Sequence, residues 1–222
     1  MGPKKNYLVR QFSSIAASYS ESSTKICIKD SPLHKLGAPS DSRLDPMYVT
    51  GLADGESSFY LRFNKRSTNR TGWHIQPGFK IELHYKDAII CEKLFAFWGV
   101  GQFRIQVNKG RNSVALFIVE STQDLINVII PHFDKYRLVT KKQGDFELWK
   151  EIVFMIKNKE HLTMTGLRKI VSLRASLNTG LTPLLKEHFP DVIPSAKPNF
   201  ALPSSFSPKG RRPKGLTAFP DY

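Results

Sequence analysis

The chain has 222 residues, of which 41% are hydrophobic, enough for a real core in one or two small domains. Its 33 lysines and arginines against 19 aspartates and glutamates give a net charge of +14, which favours a polyanionic partner, although ribosomal or membrane-surface proteins carry similar charge. Cys27 and Cys91 make neither a disulfide framework nor a metal cluster, and no stretch is long and apolar enough to span a membrane.

Residues 1–20 contain Lys4, Lys5, Arg10, four serines and no acid, which fits the composition of a mitochondrial transit peptide; the alternative is a disordered basic tail. Residues 21–43, polar and holding Pro32 and Pro39, read as a linker, so 1–43 form an extension ahead of the folded part. Asp45 is a good N-cap and Pro46 suits the first helical position, which starts a short helix running to about Gly55. Gly51 and Gly55 share one face of it. Two glycines weaken a helix by roughly 1 kcal/mol each, so they make sense where a second backbone comes close; the bland alternative is a glycine-containing turn into the next strand. Glu56 falls at the negative end of the helix dipole, where an anion costs roughly 0.3–1 kcal/mol and a cation reverses the sign. Two such helices in contact would pair two Glu56 carboxylates, and paired carboxylates invite a hard divalent metal ion.

Beyond the helix, Phe59, Leu61 and Phe63 alternate with Tyr60, Arg62 and Asn64, which predicts a strand with one apolar face. After a turn at 67–72, a second strand places Trp73, Ile75, Phe79, Ile81 and Leu83 on one side and His74, Gln76, Lys80, Glu82 and His84 on the other. Asp87 is placed to cap a helix with Ile90, Leu94 and Phe97 at helical spacing, stopped by Gly99. A second hairpin follows, with Phe103, Ile105 and Val107 inward, Gln102, Arg104, Gln106 and Asn108 outward, a turn at 109–112 and a strand over 114–119. Ser121 and Asp124 form a capping box for a helix that Pro131 helps to end. Further helices are expected over 141–156, 165–176 and 183–189. The order predicts an α+β fold in which helices cover one face of a four-stranded antiparallel sheet.

The nine residues Val49-Thr50-Gly51-Leu52-Ala53-Asp54-Gly55-Glu56-Ser57 resemble the signature of the LAGLIDADG homing endonucleases, with Ser57 where a glycine is usual. The likeness runs over about residues 44–200 and includes the element order. It implies that motif helices meet through Gly51, Leu52 and Gly55, and that Glu56, beside the Gly55 carbonyl, holds Mg²⁺. It also implies site-specific cleavage of double-stranded DNA, and a lysine near the scissile phosphate in the loop Thr140-Lys141-Lys142-Gln143-Gly144-Asp145. Lys142 is the first choice for that lysine and Lys141 the second; the alternative is a merely solvated basic turn.

The uncovered sheet face is the expected DNA surface, through Tyr60, Arg62, Asn64, Gln76, Lys80, His84, Gln102, Arg104, Gln106 and Asn108, with Glu82 as its only acid. An ordinary solvated face is the alternative, but arginine, lysine, glutamine and asparagine forks match base edges in the major groove, which admits a two-stranded ribbon. A single motif is present, so either two chains pair as a homodimer or the chain is an inactive half of an enzyme. The resemblance leaves one more reading, an intron RNA maturase, and implies an organellar, mitochondrial setting. The endonuclease domain is expected over 44–196, and 197–222, rich in Pro, Ser, Lys and Arg, reads as a disordered tail.

Overall fold

The computed structural model describes residues 44–106, 113–177 and 180–198. Helix α1 (Pro46–Glu56) begins where its capping chemistry places it, with the Asp45 carboxylate accepting from the backbone N–H groups of Met47 at 2.8 Å and Tyr48 at 3.1 Å. It runs without a linker into β1 (Ser57–Lys65), and β2 (Trp73–His84) returns antiparallel with Phe59 opposite Phe79 and Tyr60 opposite Gly78. Helix α2 (Ala88–Trp98) stops at Gly99, whose φ of 68° is the left-handed conformation expected of a C-terminal glycine. Strands β3 (Gln102–Gln106) and β4 (Val114–Val119) form the second hairpin. The sheet is antiparallel throughout in the order β1-β2-β4-β3, which puts the two hairpins back to back through β2 and β4.

Helix α3 is composite: one turn at Thr122–Asp124, a π-helical stretch at Leu125–Ile129, then Ile130–Lys135. Helices α4 (Lys142–Lys157), α5 (Met164–Ser176) and α6 (Pro183–His188) complete the described chain. Two local expectations are corrected here. Pro131 does not end its helix, because the Ile130 N–H reaches back five residues to the Leu125 carbonyl. That wider turn relieves the clash by which proline breaks an ordinary helix. Asp87 makes no side-chain capping bond; a 3-10 turn at Tyr85–Asp87 precedes α2, and the His84 imidazole caps it by accepting from the Lys86 N–H at 3.3 Å.

The alternation in β1 and β2 survives intact: Phe59, Leu61, Trp73, Ile75, Phe79 and Ile81 are buried beneath the helices. Phe59 is the hub, 5.1–5.5 Å from the rings of Phe79, Phe133, Phe146 and Trp149, which come from β2, α3 and α4. Trp149 also donates its indole N–H to the Tyr60 carbonyl at 3.2 Å, so α4 is fastened to β1 through both apolar and polar contact. Strand β4 departs from simple alternation. Ala115, Phe117 and Val119 pack under the helices, yet Leu116 and Ile118, in the opposite register, are also only 5% and 4% exposed. Cys91 is buried in α2, and no helix among the described residues is long and apolar enough to cross a membrane.

Candidate functional site

Helix α1 buries Val49, Thr50 and Ala53 and leaves Tyr48, Gly51 and Gly55 exposed. Its inner face is pinned by polar contacts: the Thr50 hydroxyl donates to the Tyr136 carbonyl at 3.2 Å and lies 3.3 Å from Nε2 of His132. Burial pushes the His132 imidazole down to about 4, so it is a neutral partner at physiological pH. A Cβ built on Gly51 or Gly55 would meet nothing within 4 Å. Neither glycine is therefore required by contacts inside the subunit. Glu56 ends this helix as an exposed carboxylate.

Beneath the helix end lies Lys142. Its ammonium donates to the carbonyls of Ala53 at 2.9 Å, Ser57 at 2.7 Å and Gly55 at 3.4 Å, which supplies a cation to the last carbonyls of α1 where the dipole calls for one. Burial there lowers the ammonium below the ordinary lysine value, while Asp54, Glu56 and Asp145 pull the other way. Lys141 is exposed at the helix start, so of the two lysines it is Lys142 that reaches the motif helix. We expect Lys142→Met to lose about 1–3 kcal/mol of stability in urea unfolding by leaving these carbonyls short of a donor. Lys141→Met should stay within about 0.5 kcal/mol of the unchanged chain.

Asp54, which the sequence reading passed over, holds this arrangement in place. Its carboxylate accepts from the Val139 N–H at 2.8 Å, the Thr140 N–H at 3.4 Å and the Thr140 hydroxyl at 2.6 Å. The loop that presents Lys142 is thus tied to the motif itself. From the other side, Asp145 forms an ion pair at 2.7 Å with Lys197, and the Lys197–Pro198 backbone and side chain pass beside Gly144. The contacts of Lys197 and Pro198 carry this packing past residue 196.

The second constellation is the sheet face away from the helices. Tyr60, Arg62 and Asn64 of β1, Gln76, Lys80, Glu82 and His84 of β2, and Gln102, Arg104 and Gln106 of β3 share it by strand register; Asn108 lies outside the described residues. Leu116 and Ile118 floor its centre, opposite Arg104 and Gln102, making a groove of about 470 Å³ bordered by Tyr60, Arg62, Lys80, Glu82, Arg104 and Gln106. Lys80 pairs with Glu82 at 2.7 Å. The expectation that Glu82 is the face's only acid is corrected, because Glu120 also joins it, 2.5 Å from Arg62 and 2.7 Å from the Tyr60 hydroxyl. Glu120 falls one residue beyond β4, where alternation no longer assigns a face.

Glu56 and Lys142 are brought together at one end of β1, and the basic sheet face begins immediately beyond them. Among the described residues no group of three or more His, Cys, Asp or Glu side chains forms a ready metal cage. One copy of the chain brings Glu56 and the neighbouring Gly55 carbonyl, both hard oxygen donors of the kind magnesium and calcium take.

Residues 49–153 match the family described as LAGLIDADG endonuclease. The chain is 38% identical over 151 residues to a probable intron-encoded endonuclease of Neurospora crassa, covering 68% of this chain and 33% of that protein. It is 28% identical over 114 residues to the homing endonuclease I-ApeII of Aeropyrum pernix, covering 51% of this chain and 65% of that one. Among solved structures, the I-SmaMI LAGLIDADG homing endonuclease bound to cleaved DNA superposes with a TM-score of 0.67 at 39% identity, over 72% of this chain and 52% of that one. I-SmaMI is also known on an uncleaved DNA target in the presence of calcium ions. The chain spans about a third of the Neurospora relative and about half of I-SmaMI. Motif, sheet order and relatives agree, and the chain belongs to the LAGLIDADG endonuclease family.

Proposed function

We propose that this chain is a site-specific endonuclease of double-stranded DNA, working as a homodimer in which each subunit lays its open sheet face along one half of a long site. The observation that carries this reading is the placement of the Glu56 carboxylate at the base of a helix whose glycine face is uncovered, directly beside a basic, polar sheet face. Relatives named as endonucleases, and one solved on DNA, support the same reading.

In the paired state, two Glu56 carboxylates with their Gly55 carbonyls would hold magnesium ions by hard oxygen donors. Bound there, the metal supplies activation of the attacking water and stabilisation of charge on the leaving oxygen. The chain's own contributions are distinct. Gly51 and Gly55 allow the helices to approach, so that both carboxylates reach the same few central phosphates. Lys142 neutralises the helix end, keeps the Gly55 carbonyl in place and puts a positive charge near the phosphate as negative charge develops. Asp54 fixes the loop that delivers it. The lysine- and serine-rich composition of residues 1–20, and a relative lying in an ND4 intron of Podospora anserina, support a mitochondrial setting.

Cleavage selection on a randomised DNA library with magnesium tests this reading. A site of about 20 base pairs is expected, since each ribbon covers roughly one helical turn of groove. Recovery of no DNA site, together with tight and specific binding to a structured intron RNA, would replace the endonuclease by an RNA-binding role.

A further inference from the structure

We infer that Glu120 and Tyr60 form a clamp that presets Arg62 as a guanine-reading arginine, a specificity device that rests on the DNA-reading role proposed for this face. One oxygen of the Glu120 carboxylate takes both groups: Arg62 Nη2 lies 2.5 Å from it, and the Tyr60 hydroxyl donates to it at 2.7 Å. Arg62 Nη2 also reaches the Tyr60 hydroxyl at 3.4 Å, and the guanidinium carbon sits 5.2 Å from the Tyr60 ring centre. The three side chains hold one another.

The clamp has to bridge an intervening strand, because Tyr60 and Arg62 belong to β1 and Glu120 follows β4, with β2 between them. Tyr60 crosses β2 at Gly78, its partner in the ladder, and a Cβ at that position would lie 2.3 Å from the phenol ring. Gly78 has no positive φ, so the turn geometry that usually explains a glycine does not apply. The crossing ring does explain it. Burial first, and then the hydrogen bond to Glu120, raise the Tyr60 phenol well above its usual range, in keeping with a hydroxyl that donates to the carboxylate.

This cluster contributes little to the core, since it lies on the face away from the helices and the Arg62 side chain is 45% exposed. A carboxylate on a surface meant for polyanionic DNA is unfavourable by itself. It makes sense as a partner that fixes an arginine before DNA arrives, so that less rotamer freedom is lost on binding. Both contacts of Arg62 fall on one side of Nη2, where the two acceptors lie only 2.7 Å apart, leaving its second N–H to form a fork with the adjoining Nη1 or Nε for the paired acceptors O6 and N7 of guanine. Arg62 stands six residues along β1 from Glu56, about 20 Å at 3.3 Å per residue, which places its base about six base pairs from the centre of the site.

The test is site selection by the full chain and five variants. The unchanged chain should prefer guanine at one position in each half-site, and Arg62→Ala should relax that position about tenfold. Glu120→Gln should relax the same position to a similar degree, with no further loss in the double variant. Gly78→Ala, which displaces the ring without removing any polar group, should do likewise. Glu82→Gln, which releases Lys80 instead, should leave that position unchanged. Apart from DNA, the Nη1 and Nη2 resonances of Arg62 should be separately resolved in the unchanged chain, because the held Nη2 slows guanidinium rotation, and averaged after Glu120→Gln. If the chain selects no DNA site, the endonuclease reading itself fails. If it selects a site while Glu120→Gln leaves the arginine position and its resonance untouched, the clamp alone is overturned.

Discussion

Glu56→Gln should abolish metal-dependent cleavage, by about a thousandfold or more, while folding and DNA affinity stay close to those of the unchanged chain. The size follows from the work asked of the carboxylate. Metal-ion stabilisation of phosphoryl oxygens is worth several kcal/mol, and each 1.36 kcal/mol is a factor of ten in rate. Glutamine keeps the shape of the side chain but removes the negative charge that holds the ion. Glu56 is exposed at the end of α1, so the change should cost under about 0.5 kcal/mol in stability. Removing an anion next to DNA also cannot weaken electrostatic attraction. The measurement is single-turnover cleavage of the selected site with magnesium, beside gel-shift affinity and urea unfolding of the same protein. Undiminished nicking by the variant would remove Glu56 from the reaction.

Lys142 and Asp54 show why this site could be read only in part from the sequence. The motif helix was legible because its signals are local: a cap at Asp45, proline at the first position, glycines four apart, and a strand period that begins at once. Local too were the alternating faces of β1 and β2 and the glycine stop at Gly99. What escaped was contact between distant segments. Asp54 meets Val139 and Thr140 across 85 and 86 residues, and Lys142 meets the carbonyls of α1 across a similar span. No period or cap announces such a bond. The choice between Lys141 and Lys142 turned on the direction in which the first turn of α4 faces, which is settled by Phe146 and Trp149 packing around Phe59. Strand β4 illustrates a different limit. A central strand screened on both faces is apolar throughout, so alternation is silent, and the floor of the groove at Leu116 and Ile118 becomes visible only when its neighbours are paired.

The second large effect concerns assembly, and Gly51→Leu isolates it. Within one subunit a Cβ at the exposed Gly51 meets no atom within 4 Å, and by helix propensity the leucine should stabilise α1 by roughly 0.5–1 kcal/mol. A glycine retained against that gain needs a reason outside the subunit. The exposed stripe formed by Tyr48, Gly51 and Gly55, with Leu52 beside it, gives one, because the same face can meet itself about a two-fold axis with backbones close enough that a leucine would not fit. The unchanged chain should therefore sediment as a dimer and select a pseudo-palindromic site, as the two-fold symmetry of the protein is mirrored in its half-sites. The leucine variant should be a well-folded monomer that has lost double-strand cleavage as completely as the Glu56→Gln variant, since each subunit then brings a single carboxylate. Unfolding at a higher urea concentration together with this loss would separate failed pairing from failed folding. Sedimentation of the unchanged chain as a monomer would sink the homodimer and require the second motif helix to come from a different polypeptide segment.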